Sequence, residues 1–299
     1  MRIGVAGLGA WGTALADVAQ RARHEVALWS RRNPLPLGDC EAVIVAVPAQ
    51  AVREVLLAIR HQVSAAAPVI LGAKGIEGAS GKFMAEVASE VLPGNPAMVL
   101  SGPSFAADVL RGLPTAVVLA AAHLDMAQQW AAALSLPAFR IYSSDDVSGV
   151  EIGGALKNVL AIACGISDGR KLGDSARAAL TTRGFAELTR FGRKLGAKPD
   201  TLAGLSGLGD LLLTCSSLQS RNFAFGLAIG EGASIARALA TSRGVVEGAY
   251  TVRIAQALAA RHHVDMPIVA AVQAIVDEGA EPAAIIEQLL SRPAGPETR

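Results

Sequence analysis

A glycine-rich loop near the N-terminus has the spacing of a phosphate-binding turn. Residues 7–12 read GLGAWG, which places Gly7, Gly9 and Gly12 between a short apolar run and the helical pattern WGTALADVAQRA. In that position the first glycine permits a tight turn, the second lets a pyrophosphate approach the backbone, and the third lets the helix pack closely on the strand. The helix N-terminus would face the phosphates. The loop therefore favours dinucleotide binding over a simple strand-to-helix turn.

The end of the second strand usually selects between NAD and NADP, because an acidic side chain there binds the ribose hydroxyls. This sequence has LWSRRN at that place, with Ser30, Arg31 and Arg32. Two guanidinium groups suit a 2′-phosphate, and we expect no carboxylate to repel it. The alternative is that an arginine only solvates the strand end. The stretch predicts a preference for NADP or the use of both cofactors.

Lys157 interrupts the apolar stretch EIGGALKNVLAIACGI, residues 151–166. On a helical wheel it lies off the apolar stripe that should face the core, and no acidic residue three or four positions away can pair with it. Gly153 and Gly154 cost a helix about 1 kcal/mol each relative to alanine, and we expect them to leave room for another backbone or for a ligand. A lysine whose stem lies on the helix surface is an equally open alternative. The stripe consists of Ile152, Ala155, Leu156, Val159 and Ala163.

Two later stretches place polar residues at helix starts. GLSGLGDLLLTCSS puts Asp210 in a glycine-rich turn before an apolar helix, where an N-cap is a sufficient explanation. SLQSRNFAFG puts Ser220, Arg221 and Asn222 at another helix start. A hydroxyl, a guanidinium and backbone N–H groups at one helix start predict a phosphate site, with capping by Ser220 as the alternative.

Two turns, GAKGIEG and SGPSF, follow strand candidates at 69–73 and 97–102. They should lie at the carboxyl edge of a parallel sheet, where such sheets bind ligands. Lys74 at that edge would face Lys157 from the other side of a cleft. A cleft between two lysines suits an anionic substrate.

The elements that must position these residues divide the chain in two. Short apolar runs alternate with helical patterns up to about residue 146, as expected for a doubly wound, Rossmann-like parallel sheet covered on both faces. We therefore predict a dinucleotide-binding domain over residues 1–146, shortened after Arg32, and an all-helical substrate and catalytic domain over residues 147–299. The strand candidates are 2–7, 25–30, 42–48, 68–73, 97–102, 115–120 and 139–144. The helix candidates after residue 146 are roughly 148–166, 174–195, 209–216, 221–230, 233–240, 247–261, 267–278 and 282–290, and the tail SRPAGPETR is expected to be disordered.

Composition excludes several classes of function. The net charge is +1 with no basic block, so nucleic acid is not an expected partner. Prolines interrupt the charge-free run from Val91 to Ala107, which argues against stable membrane insertion. Three widely spaced cysteines and five scattered histidines predict reduced thiols and no metal site, and the N-terminus has no signal-peptide pattern. We therefore expect a cytoplasmic protein.

Several stretches, in order over nearly the whole chain, resemble the bacterial-type NAD(P)-dependent sn-glycerol-3-phosphate dehydrogenases. The resemblance implies reversible reduction of dihydroxyacetone phosphate to sn-glycerol 3-phosphate, which supplies glycerophospholipid synthesis, and a homodimer is usual in that family. The stretches are AGLGAWGTALA, AVPAQAVREVL, AKGIE, LSGPSFAADV, VEIGGALKNVLAIACGISDG, LGDSARAALTTRGFAELTR, GLSGLGDLLLTCSSLQSRNFAFG and VVEGAYTV.

The same resemblance implies roles for individual positions. Lys157 matches the catalytic lysine, which would protonate the developing alkoxide, and Asp210 would orient or balance it. Arg221 is expected to touch both ligands. The substrate-contact positions are Lys74, Gly102, Ser104, Lys157, Asp210, Ser220, Arg221 and Asn222. The cofactor positions beyond the glycine loop are Ala10, Trp11, Arg31, Arg32, Ala106, Arg221, Val245 and Glu247.

One departure from the family concerns the adenosine end of the cofactor. Between Arg32 and the AVIVAVP strand the family carries a longer segment, which supplies a helix and part of the sheet, and here only NPLPLGDCE is present. We expect either a trimmed sheet edge or a weaker grip on the adenosine. Two rival functions stay open: a related two-domain β-hydroxyacid-type dehydrogenase, and a cofactor-binding sensor with a degenerate site.

Overall fold

The structure is a computed structural model that describes residues 1–293. Residues 294–299, which are most of the tail expected to be disordered, lie outside the described residues. All seven strand candidates are strands, and an eighth, of two residues, follows the second. The strands are β1 (Arg2–Ala6), β2 (Glu25–Ser30), β3 (Asn33–Pro34), β4 (Ala42–Val45), β5 (Val69–Leu71), β6 (Ala97–Ser101), β7 (Thr115–Ala121) and β8 (Phe139–Ser144).

The eight strands form one sheet in the order β3-β2-β1-β4-β5-β6-β7-β8. Neighbouring strands are parallel except the pairs β2–β3 and β6–β7. The antiparallel β7 departs from the all-parallel expectation because the link from Ser101 to Thr115 holds only a short helix and a turn, too little for a full crossover. The carboxyl ends of β1, β4, β5 and β6 share one edge, as the sequence predicts for the turns after β5 and β6.

Helices cover both faces of the sheet, which makes it doubly wound. Apolar residues of α1, α4 and α5 pack on one face, and those of α2 and α3 pack on the other. The bounds are α1 (Ala10–Arg21), α2 (Val52–Ile59), α3 (Met84–Val91), α4 (Ala106–Leu110) and α5 (Leu124–Leu134), with a 3-10 turn Ala49–Ala51 before α2.

After β8 the described chain is helical to its end. All eight helix candidates are present, and the sequence missed α8 and the π-helical segment Leu205–Gly209 that follows it. The helices are α6 (Val147–Gly169), α7 (Asp174–Lys194), α8 (Pro199–Ala203), α9 (Asp210–Thr214), α10 (Arg221–Gly230), α11 (Ile235–Ala240), α12 (Glu247–Arg261), α13 (Pro267–Val276) and α14 (Pro282–Leu290).

Helix α6 is the central element of this helical part, and α7, α10, α12 and α13 pack around it. By length and composition it could cross a membrane, but 89% of its apolar window is buried inside the protein. The apolar stripe faces the core as expected, with Ile152, Leu156 and Val159 in the helical core. The remaining faces of α6 are buried as well, because glycine and alanine there accept neighbouring elements. The alternative of a lysine on the helix surface was wrong, since Lys157 is only 7% exposed.

Glycines bring α6 and α10 into backbone contact. An added Cβ on Gly165 would overlap the carbonyl oxygen of Phe223, and one on Gly226 would overlap that of Ile162. Such an approach is available only to glycine, so these two positions fix the distance between the helices.

The trimmed segment, residues 33–41, fills its part of the core. Leu37 is completely buried, and with Cys40 it packs over Gly4 of β1, whose added Cβ would lie 2.8 Å from the Leu37 Cδ2 atom. The sheet therefore ends at a short antiparallel strand, as in the first of the two outcomes expected from sequence.

Gly165→Ala should lower the free energy of unfolding by about 1–3 kcal/mol or more, because the new methyl meets backbone that cannot rotate away. Gly94→Ala is the matched control, since its added Cβ has no neighbour within 4 Å. Urea denaturation of the three proteins measures the difference. Equal stability of Gly165→Ala and the control variant would contradict the close approach.

Candidate active site

Two lysines from the two parts of the fold share one buried carboxylate. Lys74 follows β5, Lys157 lies in the middle of α6, and Asp210 begins α9. Lys74 Nζ donates to Asp210 Oδ2 at 2.8 Å, and Lys157 Nζ donates to Asp210 Oδ1. The three side chains are 15%, 9% and 1% exposed, respectively. The acidic partner that α6 does not supply to Lys157 therefore comes from 53 residues away.

The charges within this cluster affect the pKa values of Lys157 and Asp210. Burial lowers the pKa of Lys157 to about 7; the Asp210 carboxylate opposes the shift and the Lys74 ammonium adds to it. Burial alone would raise the pKa of Asp210, but the two ammonium groups outweigh it and hold that pKa below its usual range. The cluster therefore combines a lysine whose pKa is near neutrality with an ionised carboxylate. Its net positive charge suits an anion.

Asp210 is not the N-cap that the sequence suggested. Gly209 is the residue before α9, and no side chain caps that helix start. The Asp210 carboxylate instead faces the two lysines and also accepts from Thr214 Oγ1 at 3.3 Å.

Of the two occupants that the sequence allowed beside Gly153 and Gly154, another backbone or a ligand, the structure places other parts of the protein there. An added Cβ on Gly153 would lie 2.5 Å from the carbonyl oxygen of Ser206, and one on Gly154 would lie 2.8 Å from Ser101 Oγ. The two positions accommodate the π-helical segment and the end of β6. They bring Asp210 and Lys74 to the lysine rather than making room for a ligand.

The turn after β6 binds the Lys74 ammonium through a backbone carbonyl. Lys74 Nζ donates to the Gly102 carbonyl oxygen at 2.9 Å, and Ser104 Oγ donates to the same oxygen at 3.0 Å. Gly102 has φ +139°, and an added Cβ would lie 2.9 Å from Val117 Cα, so only glycine fits. The structure thus brings Lys74, Gly102 and Ser104 together.

Within the stretch Ser220–Asn222, two side chains have structural roles and the third is an exposed cation. Ser220 Oγ accepts from Phe223 N at 3.2 Å, which is the capping role weighed from sequence. Asn222 is 7% exposed and bridges two elements, since its Nδ2 donates to Asn158 Oδ1 at 2.8 Å and its Oδ1 accepts from Gly248 N at 2.9 Å. Arg221 is exposed and lies against Gly244. Of the three, Arg221 is best placed to meet an anion.

Sequence reasoning missed two polar residues of this region. Asn158 Nδ2 donates to the Lys74 carbonyl oxygen at 3.1 Å, so a chain of amides runs from Lys74 through Asn158 and Asn222 to α12. Thr214 contacts Asp210 from one turn further along α9. The i, i+4 spacing of Thr214 could have revealed it, whereas Asn158 depends on long-range contacts that carry no local pattern.

The glycine loop fits a dinucleotide. Gly7 has φ +103°, and an added Cβ would lie 2.8 Å from the Ala46 carbonyl oxygen, so the tight turn requires glycine. Gly12 packs against the Gly7 carbonyl so closely that a Cβ would overlap it. Gly9 precedes α1 without a side-chain cap, and its added Cβ would enter open space. An open N-terminus on a 12-residue helix is a suitable cradle for a pyrophosphate.

The other cofactor candidates border this loop. Ala10 is the exposed first residue of α1, and Ala106 begins α4, which packs beside α1. The indole of Trp11 is half-buried over the sheet near Gly72, and its Nε1 has no hydrogen-bond partner among residues 1–293. All three could line a bound dinucleotide.

The arginines after β2 are exposed, but the absence of a nearby carboxylate was wrongly expected. Arg31 Nη2 lies 2.5 Å from Glu54 Oε2 of α2, with both side chains more than half exposed. A carboxylate from another element therefore competes for Arg31. The local stretch LWSRRN could not reveal it.

Glu247 connects the helical part to the sheet. Its Oε1 accepts from Ala49 N at 3.0 Å, while its buried Oε2 has no hydrogen-bond partner within the described part of the chain. Burial raises the pKa of Glu247, and the Ala49 N–H and the Arg221 guanidinium oppose the shift. Half-buried Val245 lies two residues before it.

Two cavities in the described part of the chain lie away from this cluster. Among residues 1–293 no group of three or more metal-ligating side chains occurs. Two cavities of about 910 and 520 Å³ contain none of the candidate residues. The larger lies between α7, α13 and α14, where apolar side chains dominate its lining. Charge and hydrogen bonding, rather than cavity size, therefore identify the candidate site.

Family models match both parts of the chain. Residues 146–287 match the NAD-dependent glycerol-3-phosphate dehydrogenase C-terminus. Residues 2–37 and 35–127 match the N-terminus of the same family, in two pieces that meet within the trimmed segment.

Individual relatives give the same result over nearly full length. A glycerol-3-phosphate dehydrogenase [NAD(P)+] of Methylobacterium radiotolerans is 53% identical over 327 aligned residues, covering 99% of this chain and 98% of that protein. One of Rhodospirillum rubrum is 48% identical, covering 97% and 92%. The crystal structure of glycerol-3-phosphate dehydrogenase from Coxiella burnetii has a TM-score of 0.91 and 38% identity, covering 97% and 99%.

The pKa of Lys157 should respond in opposite directions to changes in its two charged neighbours. Asp210→Asn should move it below about 7, because the carboxylate stabilises the ammonium. Lys74→Met should move it above about 7, because a competing positive charge is lost. NMR titration of ¹³C-labelled lysine side chains measures both shifts, with Lys157→Met assigning the resonance. Shifts of the same sign in both variants would contradict the shared carboxylate.

Proposed function

This chain belongs to the NAD-dependent glycerol-3-phosphate dehydrogenase family, and from that premise we propose that it interconverts dihydroxyacetone phosphate and sn-glycerol 3-phosphate with NAD(P)H. The observation that carries the proposal is the buried Lys157, whose pKa is near neutrality beside Asp210 and Lys74. A proton donor for a ketone oxygen and a binding site for an anion are thereby combined in one cluster.

The bound nicotinamide cofactor supplies a hydride to the ketone carbon in reduction and accepts one in oxidation. During reduction the Lys157 ammonium donates a proton to the carbonyl oxygen as that oxygen becomes an alkoxide. During oxidation the neutral amine of Lys157 takes the hydroxyl proton. A pKa of about 7 suits both directions, because general acid–base catalysis is most efficient when the pKa lies near the working pH.

The neighbouring groups hold the substrate and the lysine. Asp210 fixes the direction of Lys157 Nζ, and the second ammonium, Lys74, stabilises negative charge on the reacting oxygen. Arg221, together with the N-terminus of α10, holds the phosphate. Fixing the phosphate at one end aligns the carbonyl at the other with the cofactor.

We propose that the reaction supplies glycerophospholipid synthesis in the cytoplasm. The family supports the first statement. The second agrees with Cys40, Cys164 and Cys215, which are free and buried in the structure. A homodimer stays a prediction of the family resemblance.

Lys157→Ala should lower the turnover of dihydroxyacetone phosphate by about a hundredfold or more while NADPH still binds, because the general acid is lost and the glycine loop is not. NADPH oxidation followed at 340 nm measures turnover, and NADPH fluorescence measures binding. Wild-type activity itself separates this function from a sensor with a degenerate site. A substrate panel with β-hydroxyacids separates it from a related dehydrogenase. Full activity of the variant would remove Lys157 from the mechanism.

We propose further that NADP is favoured, with Arg31 and Arg32 binding the 2′-phosphate. Replacing both with alanine should raise the KM for NADPH by about tenfold or more and change the KM for NADH much less, because charge-assisted hydrogen bonds to the extra phosphate are lost. Glu54→Gln should act in the opposite direction, because it releases Arg31 from a competing carboxylate. Steady-state kinetics with both cofactors measure the effects. Equal effects on the two cofactors would refute the assignment.

A further inference from the structure

The stretch AVPAQAVREVL supplies no residue to the candidate active site, yet its side chains hold the loop that carries Lys74. This loop, residues 74–82, leaves the carboxyl end of β5. Gln50 Nε2 donates to the Ile76 carbonyl oxygen at 2.8 Å, and Gln50 Oε1 accepts from Gly78 N at 2.8 Å. One amide therefore satisfies a backbone acceptor and a backbone donor of the same loop, as an adjacent strand would.

Arg53, one turn further along, binds the same loop through a charge pair. Its Nε and Nη2 atoms donate to the two carboxylate oxygens of Glu77 at 2.8 and 2.9 Å. The Glu77 side chain is only 7% exposed, and the hydrogen bonds from Arg53 help to hold its pKa below the usual range. A two-point pair of this kind fixes direction as well as distance, which a lysine could not reproduce.

The opposite side of the loop is closed by the helical part of the chain. An added Cβ on Gly75 would lie 2.7 Å from the Ala49 Cβ and 3.2 Å from Glu247 Oε2, so the backbone there is pressed between both. Asn158 Nδ2 also holds the Lys74 carbonyl oxygen. With its backbone held at both ends, the Lys74 side chain is left to span the distance to Gly102 and Asp210.

We propose that Gln50 and Arg53 are positioning residues that hold the 74–82 loop and thereby fix the Lys74 ammonium at Asp210 and at the substrate. The proposal rests on the proposed function for its kinetic consequence. Small displacements of a group that aligns a substrate cost up to about a hundredfold in rate. Loss of the two residues should therefore affect the phosphorylated substrate and leave cofactor binding unchanged.

The test uses the full-length protein with Gln50→Ala, Gln50→Glu and Arg53→Lys. Gln50→Glu keeps the size of the side chain and the acceptor for Gly78 N, but places a carboxylate oxygen against the Ile76 carbonyl. We expect kcat/KM for dihydroxyacetone phosphate to fall about tenfold to a hundredfold in each variant. The dissociation constant of NADPH should stay within about twofold of the wild-type value. Arg60→Met, at the exposed end of α2, is the matched control and should retain wild-type kinetics.

A second readout does not depend on activity. If Gln50→Ala releases Lys74 from the cluster, the pKa of Lys157 should rise, in the same direction as in Lys74→Met, whereas a purely structural loss of stability would not move it in the folded protein. Thermal unfolding identifies the variants that fold. If Gln50→Ala does not fold, the kinetics of Gln50→Glu decide the test. Folded variants with kcat/KM within about twofold of wild type, or with an unchanged Lys157 pKa, would overturn the proposal. An inactive wild-type protein would instead refute the proposed function and leave the pKa test of these two residues standing.

Discussion

The carboxylate of Asp210, buried to 1% exposure and shared by two lysines, is the interaction on which the rest of the site depends. A single buried charge is costly, and an ion pair only partly repays the desolvation of its members. Two ammonium groups around one carboxylate give the cluster an excess of positive charge. Under the proposed function, a phosphorylated substrate is the anion that would balance this charge. Burial is the main cause that lowers the pKa of Lys157 to about 7, and the neighbouring Lys74 ammonium adds to the shift.

This charge cluster constrains the elements around it. Lys157 lies in a helix buried on every face, so α6 is lined with glycine and alanine, and other segments of the same chain approach its backbone directly. The Asp210 carboxylate must then reach Lys157 Nζ with no turn of another helix between the two side chains. The π-helical segment Leu205–Gly209 achieves this, because Gly153 lets the carbonyl of Ser206 lie against α6 and the next helix begins at Asp210 itself. π-Helical turns are unfavourable and are often found at functional sites, in agreement with this arrangement.

Local patterns in the sequence predicted the elements, while the pairings between them were out of reach. The seven longer strands and the helices after residue 146 were recognised because apolar runs and helical periodicity are properties of neighbouring residues. The partner of Lys157 is 53 residues away, and Lys74 is 136 residues from Asp210, so no periodicity encodes either contact. The capping role considered from sequence was right for Ser220 and wrong for Asp210, again because long-range partners leave no local pattern. Ser220 has only a local donor to satisfy, whereas the Asp210 carboxylate has a stronger partner that only the fold provides. Glu54 beside Arg31 is a third case, since it comes from a different helix.

The trimmed segment, residues 33–41, ends the sheet at β3, on the far side of β2 from β1 and away from the charge cluster. The alignment with the Methylobacterium relative spans 327 residues, more than this chain contains, and the family match divides at residues 35–37. Leu37 and Cys40 close the core over Gly4, and the two-residue strand β3 forms the edge of the sheet. Lys157, Lys74 and Asp210 are held instead by β5, α6 and α9, none of which contacts residues 33–41 through the bonds described above. The sheet edge at residues 33–41 and the charge cluster are therefore held by different elements, so the shortened edge leaves the geometry of Lys157, Lys74 and Asp210 intact.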